Sequence, residues 1–189
     1  TDNNIVNKWI LPKPINEEEL DNSSLNITLQ KVLIRRGIDL NNELEDYLTP
    51  EELPNPENHF NELNKATQRI IEACGRHEEI AICGDYDADG ITSTVLLVEL
   101  LSKLGAKVKP YIPSRQNDGY GLNINMITDI NNKQIKLIIT VDNGISAFDA
   151  IKRSFELGID LIITDHHKIP DIKLNLFALL HPEQTPIDS

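Results

Sequence analysis

The stretch IAICGDYDADGITSTVLLVELLSKLG (80–105) decides how this chain folds. Its first four residues form an apolar run too short for a helix and closed by Gly84, so 80–83 read as a buried strand. From about Ile91 to Leu104 the apolar residues follow a helical pattern that stops at Gly105. Three aspartates, Asp85, Asp87 and Asp89, stand between the two, at the carboxyl end of the strand. Gly90 reads as the residue that lets the backbone turn into the helix, whose N-terminus, with Thr92 and Ser93, favours anionic groups.

The same alternation continues downstream. VKPYI (108–112), LIITV (137–141), LIIT (161–164) and FALL (177–180) read as strands, separated by helical patterns at 122–131 and 146–157, the latter stopped by Gly158. Apolar strands alternating with helices predict an α/β fold: a doubly wound, five-stranded parallel sheet covered on both faces. A strand order such as 2-1-3-4-5 is compatible with this pattern but is not dictated by it. Upstream, Leu63, Ala66, Ile70, Ile71 and Cys74 predict a packed amphipathic helix within 61–76. LTPEELPNPENHF (48–60) reads as a connection because of its three prolines. Before it, a helix is expected to open near Glu17–Leu20 and end at Gly37, with a short helix at 41–48. Residues 1–60 are therefore expected to form a helical or irregular N-terminal segment, and 61–189 the α/β core.

Composition narrows the function classes. The 189 residues are 40% hydrophobic and 25% charged, with a net charge of −12, which describes a globular chain. No apolar run approaches the ~20 residues that span a bilayer, and TDNNIVNKW (1–9) does not read as a signal peptide. Two cysteines, Cys74 and Cys83, make neither a disulfide framework nor a zinc cluster, and suit a reducing cytoplasm. The acidity argues against phosphate binding until it is divided along the chain. In the second half much of it sits in Asp85, Asp87, Asp89, Asp142 and Asp165, and clustered carboxylates are costly unless a cation neutralises them.

In open α/β sheets ligands bind beyond the carboxyl ends of the strands. The polar residues here collect at that edge: three aspartates after the first strand, Asp142 after the third, and Asp165-His166-His167 after the fourth. Carboxylates with some imidazole and no thiolate suit Mn²⁺ or Mg²⁺. This many acids fits two ions sharing a bridging carboxylate, an arrangement that cleaves phosphoesters. An EF-hand loop is excluded, since the downstream Glu is missing and the motif follows a strand.

GDYDADGITS (84–93), VDNGIS (141–146) and TDHH (164–167) closely resemble the first three motifs of the DHH phosphoesterase family, and within it those of the RecJ-type exonucleases, specific for single-stranded DNA. LIRRGI (33–38), KATQRIIEA (65–73), PSRQNDGYGL (113–122) and the ending LLHPEQTPIDS agree, so the resemblance covers nearly the whole chain. It implies a manganese- or magnesium-dependent 5′→3′ exonuclease acting on single-stranded DNA in repair and recombination, with two ions in the complete enzyme. By position, Asp87 and Asp89 are implied as ligands to separate ions, Asp142 as the bridging carboxylate and His166 as a ligand to one ion. His167 is implied near the scissile phosphate, and Asp85 as support for the first motif. Many relatives carry His where this chain has Cys83. The resemblance also implies that the chain stops before a fourth motif, whose Asp completes the metal shell, and before a C-terminal domain. Alone, it is expected to fold but to bind metal poorly and to cleave weakly or not at all.

Relatives that hydrolyse short oligonucleotides or cyclic dinucleotides remain open, though DYDADG and LIRRGI disfavour them. From another class, a phospho-accepting receiver domain shares the sheet and the acidic cluster, but ends its fifth strand in Lys where this chain has His181-Pro182. A non-catalytic replication scaffold is disfavoured by the intact motifs. Single-strand-binding or helicase partners are not readable from the residues. Arg115, in a loop after the second strand, is assigned a substrate phosphate contact, because guanidinium pairs well with phosphate. His181 reads equally as a ligand or as structural. His59 and His77 read as solvated, Cys74 and Cys83 as small packed residues, and Trp9 as packing.

Overall fold

A computed structural model describes residues 10–16, 20, 25–49, 55–114 and 121–184. The chain divides into two compact units, Thr1–Leu53 and Pro54–Ser189. In the first, α1 (Ile27–Arg35) starts where the Asn26 side chain accepts the Thr28 N–H at 2.8 Å, and α2 (Leu44–Leu48) follows. Leu20 and Leu25 are not helical and α1 opens at an Asx cap; the helix start expected at Glu17–Glu19, like Trp9, lies outside the described residues.

The second unit runs α3 (Pro56–His59), α4 (Leu63–Gly75), β1 (Glu79–Cys83), α5 (Ala88–Lys103), β2 (Lys107–Tyr111), α6 (Ile124–Asn132), β3 (Leu137–Val141), α7 (Phe148–Glu156), β4 (Asp160–Thr164) and β5 (Ala178–Leu180), then a 3-10 turn at Pro182–Gln184. The five strands form one sheet in the order β2-β1-β3-β4-β5, with every neighbouring pair parallel. The expected doubly wound fold is therefore present.

The pleat divides the apolar strand residues between two faces. Ala81, Cys83, Ile138, Leu161 and Ile163 pack with Met126, Ile127, Ile130 and Ile151 of α6 and α7. Ile80, Ile82, Leu137, Ile139 and Ile162 pack with Ala66 and Ala73 of α4 and Leu101 of α5. Buried Arg69 of α4 ties the lower edge together, with Nε 2.6 Å from Asp160 and Nη2 2.8 Å from Glu78. Both sheet edges are blunted. Pro110 in β2 has no N–H to offer a further strand, and the Leu179 N–H of β5 donates to Glu62 at 2.8 Å. No helix among the described residues is long and apolar enough to cross a membrane.

Candidate metal centre

The strand order reverses around β1, which lies between β2 and β3, so the loops leaving β1, β3 and β4 share one end of the sheet. The first of these is tightly packed. Helix α5 begins at Ala88, before the expected Ile91, because Asp87 caps it: Oδ1 of Asp87 accepts the Gly90 N–H at 3.0 Å. Gly90 therefore lies in the first helical turn, where its role is close approach to the backbone of Asp85. The Thr92 and Ser93 hydroxyls, placed at this helix start, donate at 2.7 Å to the carbonyls of Ala88 and Asp89.

Asp85 is 1% exposed, and neither of its carboxylate oxygens has a hydrogen-bond partner among the described residues. A buried carboxylate left this way calls for a cation. Asp87 and Asp89 are exposed at the helix start. Asp142 follows β3 in the left-handed region, at φ 61°, which Asp tolerates better than most residues. Its N–H donates to Thr164 at 3.0 Å and its side chain is only 7% exposed. Burial lifts the Asp142 carboxyl above its ordinary pKa; the charges of Asp89 and Asp87 push the same way, and His166 opposes them. Those carboxylates therefore feel one another across two loops.

The β4 loop completes the set around Asp165. That carboxylate accepts the N–H of His166 at 2.7 Å, of His167 at 3.0 Å and of Ile145 at 2.9 Å, and meets Nδ1 of His167 at 2.7 Å. Burial would raise its pKa, but these donors outweigh burial and hold it below the usual carboxylate range. The bond to Asp165 in turn raises His167 above the ordinary imidazole value; partial burial opposes this, and the charges of Asp165, Asp142 and Asp85 add to it. His166 extends Nε2 to within 2.8 Å of Asp142. One ligand atom from each of Asp142, His166 and His167 falls within 4.8 Å of the others. Among the described residues, a cleft of about 400 Å³ opens beside them, lined by Asp89, Asp142 and His166 together with Pro56, Phe60 and Pro182.

The structure thus brings Asp142, His166 and His167 together, sets Asp87, Asp89 and Asp85 within their field, and assigns His181 to structure, since both its ring nitrogens bond to the backbone. Arg115 lies outside the described residues. His59 is not simply solvated, because its ring meets Phe60 edge-on at 5.7 Å. His77 is exposed, as expected. Asn143 carries no chemical signal in the sequence beyond its place in VDNGIS, yet it is fully buried and joins three segments. Its Nδ2 donates to Cys83 O at 3.0 Å and Val141 O at 2.9 Å, while Oδ1 accepts the Leu122 N–H at 3.0 Å. Pro56 and Phe60 were also invisible as cleft residues, the only local cue being Pro at a helix start after Asn55.

Residues 79–189 match the DHH family, N-terminal domain. The chain is 36% identical to the single-stranded-DNA-specific exonuclease RecJ of Bacillus subtilis, over 94% of this chain and 23% of that protein. It is 37% identical to the RecJ of Haemophilus influenzae, over 79% of this chain and 25% of that one. Among solved structures, exonuclease RecJ bound to manganese matches with a TM-score of 0.63 and 35% identity, covering 68% of this chain and 33% of that one. RecJ in complex with Mn²⁺ from Thermus thermophilus matches with a TM-score of 0.60 and 30% identity, covering 84% of this chain and 22% of that one. The chain spans about a quarter of the length of the curated relatives it matches.

Proposed function

The chain belongs to the DHH family, and from that premise we propose that its site holds divalent ions and hydrolyses single-stranded DNA from the 5′ end. The observation that carries this reading is the meeting of Asp142, His166 and His167 beside three further carboxylates, one of them buried without a partner among the described residues. A donor set of oxygen and imidazole nitrogen, without thiolate, fits Mn²⁺ or Mg²⁺. Two similar structures carry manganese. Asp87, Asp89, Asp142 and His166 would hold the ions, with the buried Asp85 adding negative charge behind them.

Bound divalent ions supply Lewis acidity and an acidified water for phosphodiester hydrolysis near neutral pH. The protein's own groups then do the rest. Asp165 fixes the loop and engages Nδ1 of His167, so the ring meets substrate through Nε2. The Asp165 contact favours the protonated form of His167, in which Nε2–H would donate to the phosphoryl oxygens as negative charge develops. Arg115 is assigned to the substrate phosphate. Single-stranded DNA is the substrate named for the relatives, and repair and recombination in the cytoplasm is the setting we assign.

Asp142→Ala in the full-length native protein tests the reading. Loss of Mn²⁺-dependent cleavage of 5′-labelled single strands, with unchanged circular dichroism, is expected. Near-normal turnover by the folded variant, or cleavage starting from the 3′ end, overturns the assignment. Arg115→Ala should lower kcat/KM without changing Mn²⁺ affinity, with Lys recovering only part of the loss because it cannot pair bidentately.

A further inference from the structure

His181 stands just past β5, 1% exposed, with both ring nitrogens engaged. The Glu183 N–H donates to Nδ1 at 3.1 Å, so the proton of the neutral ring sits on Nε2. That Nε2–H donates to the carbonyl oxygen of His167 at 2.6 Å. With both nitrogens used, His181 has no lone pair left for a metal.

The sheet brings the two residues together. Thr164 pairs with Leu180 at the ends of β4 and β5, and the Asp165 N–H reaches the Leu180 carbonyl at 3.3 Å. His167 is then held from both sides: Asp165 takes its N–H at 3.0 Å and its Nδ1 at 2.7 Å, and His181 takes its carbonyl. A buried imidazole kept only for packing would be replaced by an apolar side chain of similar volume with less desolvation cost. This one directs its donor to a single atom of the residue that faces the site.

We propose that His181 is a positioning residue. It fixes the peptide plane that follows His167 and thereby the aim of the His167 ring at the substrate phosphate. The inference rests on the phosphate-facing role given to His167 above. Gln retains a donor near the place of Nε2, whereas Leu and Met do not.

His181→Gln, His181→Leu and His181→Met are compared in the full-length native protein by steady-state cleavage of single-stranded DNA with Mn²⁺ and by hydrogen exchange of peptides spanning 165–168. The donor-less variants should lose roughly 10–100-fold in kcat, the scale seen when a supporting partner is removed. Their KM should stay near the wild-type value and exchange across 165–168 should quicken, with Gln restoring most of both. The proposal is overturned if Leu and Met keep wild-type kcat, if Gln loses as much as they do, or if neither donor-less variant folds. A wild-type protein without metal-dependent cleavage removes the functional reading instead. The exchange comparison still decides whether His181 orders the loop.

Discussion

A Cβ placed on Gly90 stands 2.5 Å from the backbone nitrogen of Asp85 and 2.7 Å from its carbonyl oxygen. Gly84 is as confined, its Cβ position lying 2.0 Å from Oγ1 of Thr94. The first turn of α5 therefore rests on the bare backbone of the loop that carries Asp85, Asp87 and Asp89. Moving the helix moves the carboxylates.

Gly90→Ala should consequently cost about 1–3 kcal/mol, the usual penalty of overpacking, because rigid backbone and not a flexible side chain stands in the way. Gly75→Ala is the control: nothing lies within 4 Å of its Cβ, and the change should be neutral or stabilising by about 0.4–1 kcal/mol. Urea unfolding of both variants measures the difference, and equal midpoints would contradict the close approach.

Asn143 offers a test of sign. Asn143→Ala leaves Cys83 O, Val141 O and the Leu122 N–H without their partner, which should cost about 2–4 kcal/mol. Asn143→Asp nearly preserves shape but turns a carboxylate oxygen towards two carbonyl oxygens, so it should destabilise more than Ala does. Chemical denaturation at neutral pH ranks the pair.

Asp142→Asn separates charge from metal. The wild-type carboxyl is raised by burial and by Asp89 and Asp87, so its ionised form is unfavourable in the folded chain at neutral pH without metal. The variant should then melt higher in chelator, by roughly 2–4 °C, the effect of about 1 kcal/mol in a domain of this size. That advantage should vanish on acidification, once the wild-type carboxyl takes up its proton. Saturating Mn²⁺ should reverse the order, because the ion stabilises the chain that binds it. Scanning calorimetry in chelator and in Mn²⁺ reads both.

Cys83 is fully buried, and burial pushes its thiol far above the ordinary range, so it stays protonated and inert at neutral pH. Cys74 is only partly buried. Alkylation of the folded protein at pH 8 should label Cys74 alone, and both after unfolding. Labelling of Cys83 in the native state would place it nearer the open site than the structure does.

The apolar runs of 80–83, 137–141 and 161–164 determined by themselves that this is a doubly wound parallel sheet, because only strands buried on both faces read that way. The positions of Asp85, Asp87, Asp89, Asp142, His166 and His167 just past those strands were equally local, and so was the chemistry their residue types imply. What the chain order could not contain was contact between distant segments. Asn143 is joined to Cys83 and Leu122 across the sheet, and His181 to His167 through the pairing of β4 with β5. Gly90 looked like a turn glycine, yet its need comes from Asp85 lying against it in space. Pro56 and Phe60 looked like a linker until α4 folded back along the sheet and brought them beside Asp142. A side chain's type and its place on a strand are properties of the sequence. Which backbone group satisfies it, and which neighbour it must avoid, is set only when the strands assemble, since hydrogen bonds and steric contacts act over a few ångströms whatever the separation along the chain.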